Sequence, residues 1–132
     1  MRMLAPYKQF SDPRGSFLGI VNSDHWEEFN YVETKAGETR GGHYHKETRE
    51  LFFIIDGEID IQIEDMNHVK RNSFRVGPGA IFVVDPLEVH IFTCRTACRW
   101  INVLSRRIDD QFHDIPLLSK TASILPGDLL IC

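Results

Sequence analysis

The chain is poor in cysteine, with three in 132 residues: Cys94, Cys98 and Cys132. An odd count without Cys-x-x-Cys spacing argues against a disulfide framework, and reduced thiols in or near a core are expected. Positive charge is also scarce. Fifteen Lys and Arg stand against nineteen Asp and Glu, for a net charge of −4, and no basic run exceeds Lys70-Arg71 or Arg106-Arg107. That speaks against a nucleic-acid partner. Long apolar runs are missing too. No stretch approaches the ~18 residues needed to span a bilayer, and the opening MRMLAPYKQF has no apolar core of signal-peptide length. A soluble, cytoplasmic protein without membrane contact is the expectation. Internal repeats, low-complexity tracts and linkers do not occur. The 132 residues, 42% hydrophobic, therefore read as a single domain with a core over about 11–105 and a C-terminal extension over 106–132.

Helical periodicity is nearly absent. Only DHWEEF (24–29) suggests a helical turn, capped by Ser23 or Asp24. Short strands between turn residues dominate instead. GEIDIQIED (57–65) puts Ile59, Ile61 and Ile63 on one face, the period of a half-buried strand. VKRNSFRV (69–76) reads as its hairpin partner, VGPG (76–79) as a turn, and AIFVVD (80–85) and EVHIFTC (88–94) as strands around Pro86-Leu87. RWINVLS (99–105), GSFLGIV (15–21) and NYVETKA (30–36) are further strands. Eight or more short strands make an all-β sandwich or barrel. The run Leu51–Ile55 is apolar on both faces, so a second sheet, an N-terminal strand or another subunit must cover it. This hints at a dimer. The tail over 115–132 has apolar residues without clear period.

The chemistry concentrates in TRGGHYHKETRELFFIIDG (39–57). In a strand His43 and His45 point to one face, with Tyr44 on the other. KETR (46–49) reads as a four-residue hairpin loop that sets Glu50 opposite His45 on the returning strand, with Phe52 and Ile54 continuing the face. His90 lies in a strand whose same-face members are Glu88, Phe92 and Cys94. Three imidazoles and one carboxylate suit a borderline divalent ion: zinc first, then Fe, Ni, Mn or Co. His25, His68 and His113 stand alone in loops and read as surface residues.

At these residues the sequence resembles the cupin superfamily. The usual first motif is Gly, five residues, His-x-His, three or four residues, Glu, six residues, Gly; Gly37, His43, His45, Glu50 and Gly57 match every spacing. The second motif is degraded. Gly79, Pro86 and His90 remain, Glu88 replaces a glycine, one spacer residue is missing, and Cys94 takes the place of an asparagine. The resemblance implies a double-stranded β-helix, the cupin jelly-roll barrel, with His43, His45, Glu50 and His90 as metal ligands. GETRGGHYH with Glu50 looks most like the metal-binding C-terminal cupin domain of capsule-polysaccharide reductase–epimerases. The dTDP-4-dehydrorhamnose 3,5-epimerases and dTDP-sugar 3,4-ketoisomerases share parts of it. SDPRGSF (11–17) is similar to the Asp-x-Arg-Gly segment of these epimerases. The likeness spans residues 11 to about 105 and lacks the reductase domain, so any reductase partner is expected to be a separate protein.

The resemblance implies a metal-dependent isomerase or epimerase acting on a nucleotide-linked keto sugar, in surface polysaccharide or deoxysugar biosynthesis. Arg14 and Arg40 are the candidates for the diphosphate, since a guanidinium fork suits phosphate oxygens. His43 would be the catalytic base only in a metal-free site. With a metal bound the base is unassigned, Lys35, Glu47 and Tyr31 being the titratable residues expected near the mouth. The competing readings are an iron cupin dioxygenase and a non-catalytic sugar-binding cupin. A homodimer is the expected assembly.

Overall fold

The period-two pattern of 59–64 appears directly as a strand whose three isoleucines are buried. In this computed structural model, which describes residues 1–65 and 70–108, it is the seventh of eleven strands. In chain order these are β1 (Arg2–Leu4), β2 (Lys8–Asp12), β3 (Gly15–Gly19), β4 (Glu28–Thr34), β5 (Thr39–His43), β6 (Glu50–Asp56), β7 (Ile59–Glu64), β8 (Arg71–Val76), β9 (Ile81–Val84), β10 (Val89–Cys94) and β11 (Cys98–Leu104). His68, His113, Cys132 and the tail over 115–132 lie outside the described residues.

Strand pairing is nested. β7 pairs with β8, β6 with β9, β5 with β10 and β4 with β11, all antiparallel. This is one long hairpin, folded at the β7–β8 pair and rolled up. Rolling adds the pairs β6–β11 and β7–β10. Two facing sheets result, ordered β1-β9-β6-β11-β4 and β5-β10-β7-β8, with β2-β3 as a separate hairpin. The expected all-β jelly roll is therefore present, and among the described residues there is no helix.

Two local expectations are corrected. Residues 24–27 are not helical: Asp24 has φ 70°, its Oδ1 accepts from the His25 amide at 2.9 Å, and Phe29 is already in β4. A short Asp side chain that bonds its neighbouring backbone favours a turn over a helical start. Nor do residues 46–49 close a hairpin. β5 joins β10 while β6 joins β9 and β11, so the loop crosses from one sheet to the other.

The two-faced apolar run in β6 has a cover for each face. Phe52 and Ile54 point between the sheets, into a core with Ile59, Ile61, Phe82, Phe92 and Trp100. Leu51 packs on the outer face with Ile81, Val83 and Val103, beneath Leu4, Ile20, Val21 and Trp26 from the N-terminal segment. Ring centroids of Phe52 and Phe82 stand 5.2 Å apart, Phe52 and Phe92 4.9 Å, and Phe92 and Trp100 5.9 Å. Such offset and edge contacts add about 0.5–1.5 kcal/mol each beyond area burial.

Candidate metal centre

Register fixes the ends of the barrel. Leu104 pairs with Glu28 on one side and Glu50 on the other; Cys98 pairs with Thr34 and Arg99 with Asp56. Glu28, Glu50 and Leu104 thus mark one end, and Thr34, Asp56 and Cys98 the other. At the first end His43 closes β5 and stands opposite His90 of β10. Glu50 opens β6 in the facing sheet. The carboxylate therefore meets the imidazoles across the barrel rather than along a hairpin.

A bulge aims His43. His90 pairs with His43, but Ile91 pairs with Gly41, leaving Gly42 as the extra residue. Both glycines have positive φ, 100° at Gly41 and 78° at Gly42. A Cβ on Gly41 would lie 2.4 Å from the His90 carbonyl oxygen, so no side chain fits. The Gly-Gly before His43 is thus a backbone device that turns the strand end inward. Past it, the loop carrying His45 is pinned at three points. The Leu87 amide donates to the His45 carbonyl at 2.8 Å, the Ser105 amide to the Arg49 carbonyl at 3.0 Å, and the Arg49 amide to Ser105 Oγ at 2.9 Å. The Arg49 side chain also pairs with Asp24.

The four predicted ligands all become buried: His43, Glu50 and His90 are 0% exposed and His45 3%. One donor atom each from His43, Glu50 and His90 lie within 4.8 Å of one another. His45 stands beside this trio, its Nε2 2.5 Å from Glu50 Oε1, while His90 Nε2 lies 3.6 Å from the same oxygen. The His43 ring is edge-on to His45 at 5.4 Å and to His90 at 4.9 Å. Glu50 Oε2 accepts from Asn102 Nδ2 at 3.0 Å. Oε1 has no aligned N–H donor despite its full burial. A buried carboxylate oxygen that faces two imidazole nitrogens without such a donor is what a cation would complete, so the donor set fits a divalent metal. Burial pushes the Glu50 pKa upward, but the imidazoles of His45, His90 and His43 outweigh it and hold the carboxyl below its ordinary value. Phe92 floors the cluster, 5.5 Å from the His90 ring.

The other candidates do not join it. Arg14 lies on the β2-β3 hairpin, its side chain 86% exposed and bonded to Asp12 at 2.6 Å. Arg40 points toward the far end, with Nε donating to Thr34 Oγ1 at 2.7 Å and a terminal nitrogen to the Glu33 carbonyl at 3.2 Å. It laces edge strand β5 to edge strand β4. Lys35 follows β4 at that far end, and Tyr31 lies exposed, its hydroxyl 2.7 Å from Glu33. The register thus corrects the expectation that these two line the mouth. Glu47 is exposed on the loop beside the cluster and pairs with Arg106. Cys94 and Cys98 are buried free thiols, as expected, and burial with the adjacent Cys98 pushes Cys94 up to about 12. Sequence reasoning missed Gly41, Gly42 and Asn102. The signal for the last was an amide inside an apolar strand, RWINVLS.

The fold is the cupin jelly-roll barrel, with a His-rich cluster at one end. The chain matches the family model "Polysaccharide biosynthesis C-terminal domain" over residues 10–99, and it belongs to that family. A curated relative is the UDP-2-acetamido-2,6-beta-L-arabino-hexul-4-ose reductase of Pseudomonas aeruginosa, 40% identical over 47 residues. That stretch is 36% of this chain and 13% of the relative's length. Among solved structures, the sugar 3,4-ketoisomerase QdtA of Thermoanaerobacterium thermosaccharolyticum, in complex with TDP, superposes with a TM-score of 0.69 at 16% identity, covering 85% of this chain and 84% of that one. The 3,5-epimerase RmlC of Legionella pneumophila, in complex with dTDP-4-keto-L-rhamnose, gives 0.69 at 16%, covering 83% and 68%. The capsular polysaccharide assembling protein CapF of Staphylococcus aureus gives 0.66 at 20%, covering 89% of this chain and 32% of its own. At these identities the superpositions show a shared fold.

Proposed function

We propose that the chain is a metal-dependent cupin isomerase or epimerase acting on a nucleotide-linked keto sugar, in surface polysaccharide or deoxysugar biosynthesis. The observation that carries this reading is the buried meeting of His43, Glu50 and His90, with His45 on Glu50, at one end of the barrel. The polysaccharide-biosynthesis family and the ketoisomerase and epimerase neighbours support the substrate class. His43, Glu50 and His90 would hold the ion, with His45 as the fourth ligand. A divalent ion there, zinc first and Fe, Ni, Mn or Co after it, would supply Lewis-acid polarisation of the sugar ketone.

The chain's own residues do the rest. A C–H beside a ketone is weakly acidic, and moving its proton needs a base, an acid and a water-poor setting. The aromatic floor of Phe52 and Phe92 keeps the inner side of the cluster dry. Glu47 is the titratable residue of the three first considered that stands on the loop beside the cluster. A second reading is favoured by the 2.5 Å His45–Glu50 contact: in a metal-free site Glu50 would orient His45, and His43 would serve as base. Arg14 and Arg40 stay the candidates for the diphosphate; Arg14 would have to leave Asp12 to reach it, and Arg40 would have to swing from Thr34 and the Glu33 carbonyl at the opposite end of the barrel. A homodimer belongs to the proposal through the outer face of the five-stranded sheet. There a groove of about 580 Å³, lined by Tyr7, Leu18, Trp26, Phe29, Phe53 and Ile101, continues into the 70% exposed Phe29. Light scattering on the eluting protein should give twice the chain mass, and a monomer would remove that element.

The test is NMR of 4-keto-6-deoxy sugar nucleotides with the protein in deuterated water, with metal assayed on the same sample. Deuterium entering beside the ketone supports enolisation, and the carbon labelled separates epimerase from ketoisomerase. No uptake with a full metal site would redirect the reading to another substrate or to oxygen chemistry. Neither uptake nor metal would favour a sugar-binding protein.

A further inference from the structure

Glu50 is tied to the protein through a chain of amides. Asn102 is 1% exposed, in β11, flanked by Ile101 and Val103 of the outer apolar layer and two residues from Trp100 of the inner one. Its Nδ2 donates to Glu50 Oε2 at 3.0 Å. Its Oδ1 accepts from Asn30 Nδ2 at 3.4 Å, and the same Asn30 nitrogen donates to Glu28 Oε2 at 2.9 Å. The other Glu28 oxygen accepts the Ile108 amide at 3.1 Å. A carboxylate offers only acceptors, so Glu28 and Glu50 each require a nitrogen facing them. The orientations of both amides follow: the Asn30 nitrogen donates outward to Glu28 and inward to Asn102, and Asn102 donates in turn to the buried Glu50.

The consequence concerns which oxygen of Glu50 is presented. With Oε2 held by Asn102, Oε1 is the oxygen turned to His45 and His90. We infer that Asn102 is a positioning residue that fixes the Glu50 carboxylate for metal binding, with Asn30 and Glu28 buttressing it. The inference rests on the metal reading above. Outer partners of metal ligands lower affinity 10–100-fold when removed, because the ligand then has to be ordered by the ion itself. Asn102 is a good case: it belongs to an apolar strand, and among the described residues Glu50 is the carboxylate its amide nitrogen serves.

The experiment is a chelator competition titration of zinc, and of cobalt(II) with its visible spectrum, on the full chain and on Asn102→Leu. Leucine keeps the volume and removes the donor. The expected result is at least tenfold weaker binding, with an altered cobalt spectrum, in a metal-free variant that still melts cooperatively, its midpoint lowered by roughly 3–12 °C because Glu50 Oε2 loses its donor. Binding within threefold of wild type and an unchanged spectrum would overturn the role of Asn102. If the leucine variant does not fold, Asn30→Ala at the half-buried next link is used, with a smaller loss in the same direction expected and no loss overturning the inference. A wild-type protein that binds neither ion overturns the metal reading and this inference together. Metal-binding wild type with an unaffected variant overturns the inference alone.

Discussion

Gly41 and Gly42 allow the bulge to be tested by a pair of substitutions that differ in one respect. Alanine at either position must adopt a left-handed φ, which costs about 1–2 kcal/mol. At Gly42 nothing lies within 4 Å of the added Cβ, so that strain is the whole effect. At Gly41 the same methyl would sit 2.4 Å from the His90 carbonyl oxygen and 3.4 Å from the Ile91 Cα. Backbone cannot swing aside like a side chain. Relief requires β5 and β10 to part, and overpacking of this kind adds about 1–3 kcal/mol. Gly42→Ala is therefore expected to lose about 1–2 kcal/mol and Gly41→Ala about 2–5 kcal/mol. For a chain of this size 1 kcal/mol moves the midpoint by roughly 3–4 °C, so the two midpoints should fall by roughly 3–8 °C and 6–20 °C. Metal content should fall further in Gly41→Ala, since the strained contact is with His90 and the neighbouring His43 is a proposed ligand. The assay is thermal melting of the metal-free proteins by circular dichroism, followed by zinc titration. Equal losses in the two variants would refute the close approach of Gly41 to His90, and with it the account of the bulge.

Other expectations follow from the same geometry. Glu50→Gln removes a buried carboxylate whose native pKa is depressed, so its stabilising effect is full above the unfolded value of about 4.3 and is lost as pH falls through the lower native value. The stability gap between wild type and Glu50→Gln, read by urea titration of metal-free protein, should be about 1–3 kcal/mol at pH 7 and should shrink below pH 4; a gap that widens with acid would contradict the sign. His45→Gln should lower metal content, measured by mass spectrometry of the purified protein. Unchanged stoichiometry would remove His45 from the ligand set. Phe92→Ala opens a cavity beside Phe52, Phe82, Trp100 and His90 and should cost about 3–5 kcal/mol in denaturant unfolding. A loss under 1 kcal/mol would mean that this ring does not bridge core and cluster.

Much of the fold was readable from local pattern. Ile59, Ile61 and Ile63 announce a strand with one buried face because side chains alternate along extended backbone, and the structure buries all three. The apolar run from Leu51 demanded two covers, and the facing sheet and the N-terminal segment supply them. DHWEEF misled because its apolar spacing imitates a helical turn, whereas Asp24 takes a left-handed φ, bonds the His25 amide and pairs with Arg49, a residue 25 positions on.

By itself the sequence determined that the chain is built of short strands, that it carries the cupin spacing, and that His43, His45, Glu50 and His90 are the residues to watch. Those are properties of neighbours along the chain, set by backbone period and residue chemistry. Tertiary structure alone decided that Glu50 reaches the histidines across the barrel, that Arg40 and Lys35 belong to the opposite end, and that Asn102 holds the carboxylate. Glu50 and Asn102 stand 52 positions apart, and they meet only because a nested hairpin rolls β6 against β11. Pairings of that range leave no period in the sequence. Their register is chosen by which apolar faces can be buried together.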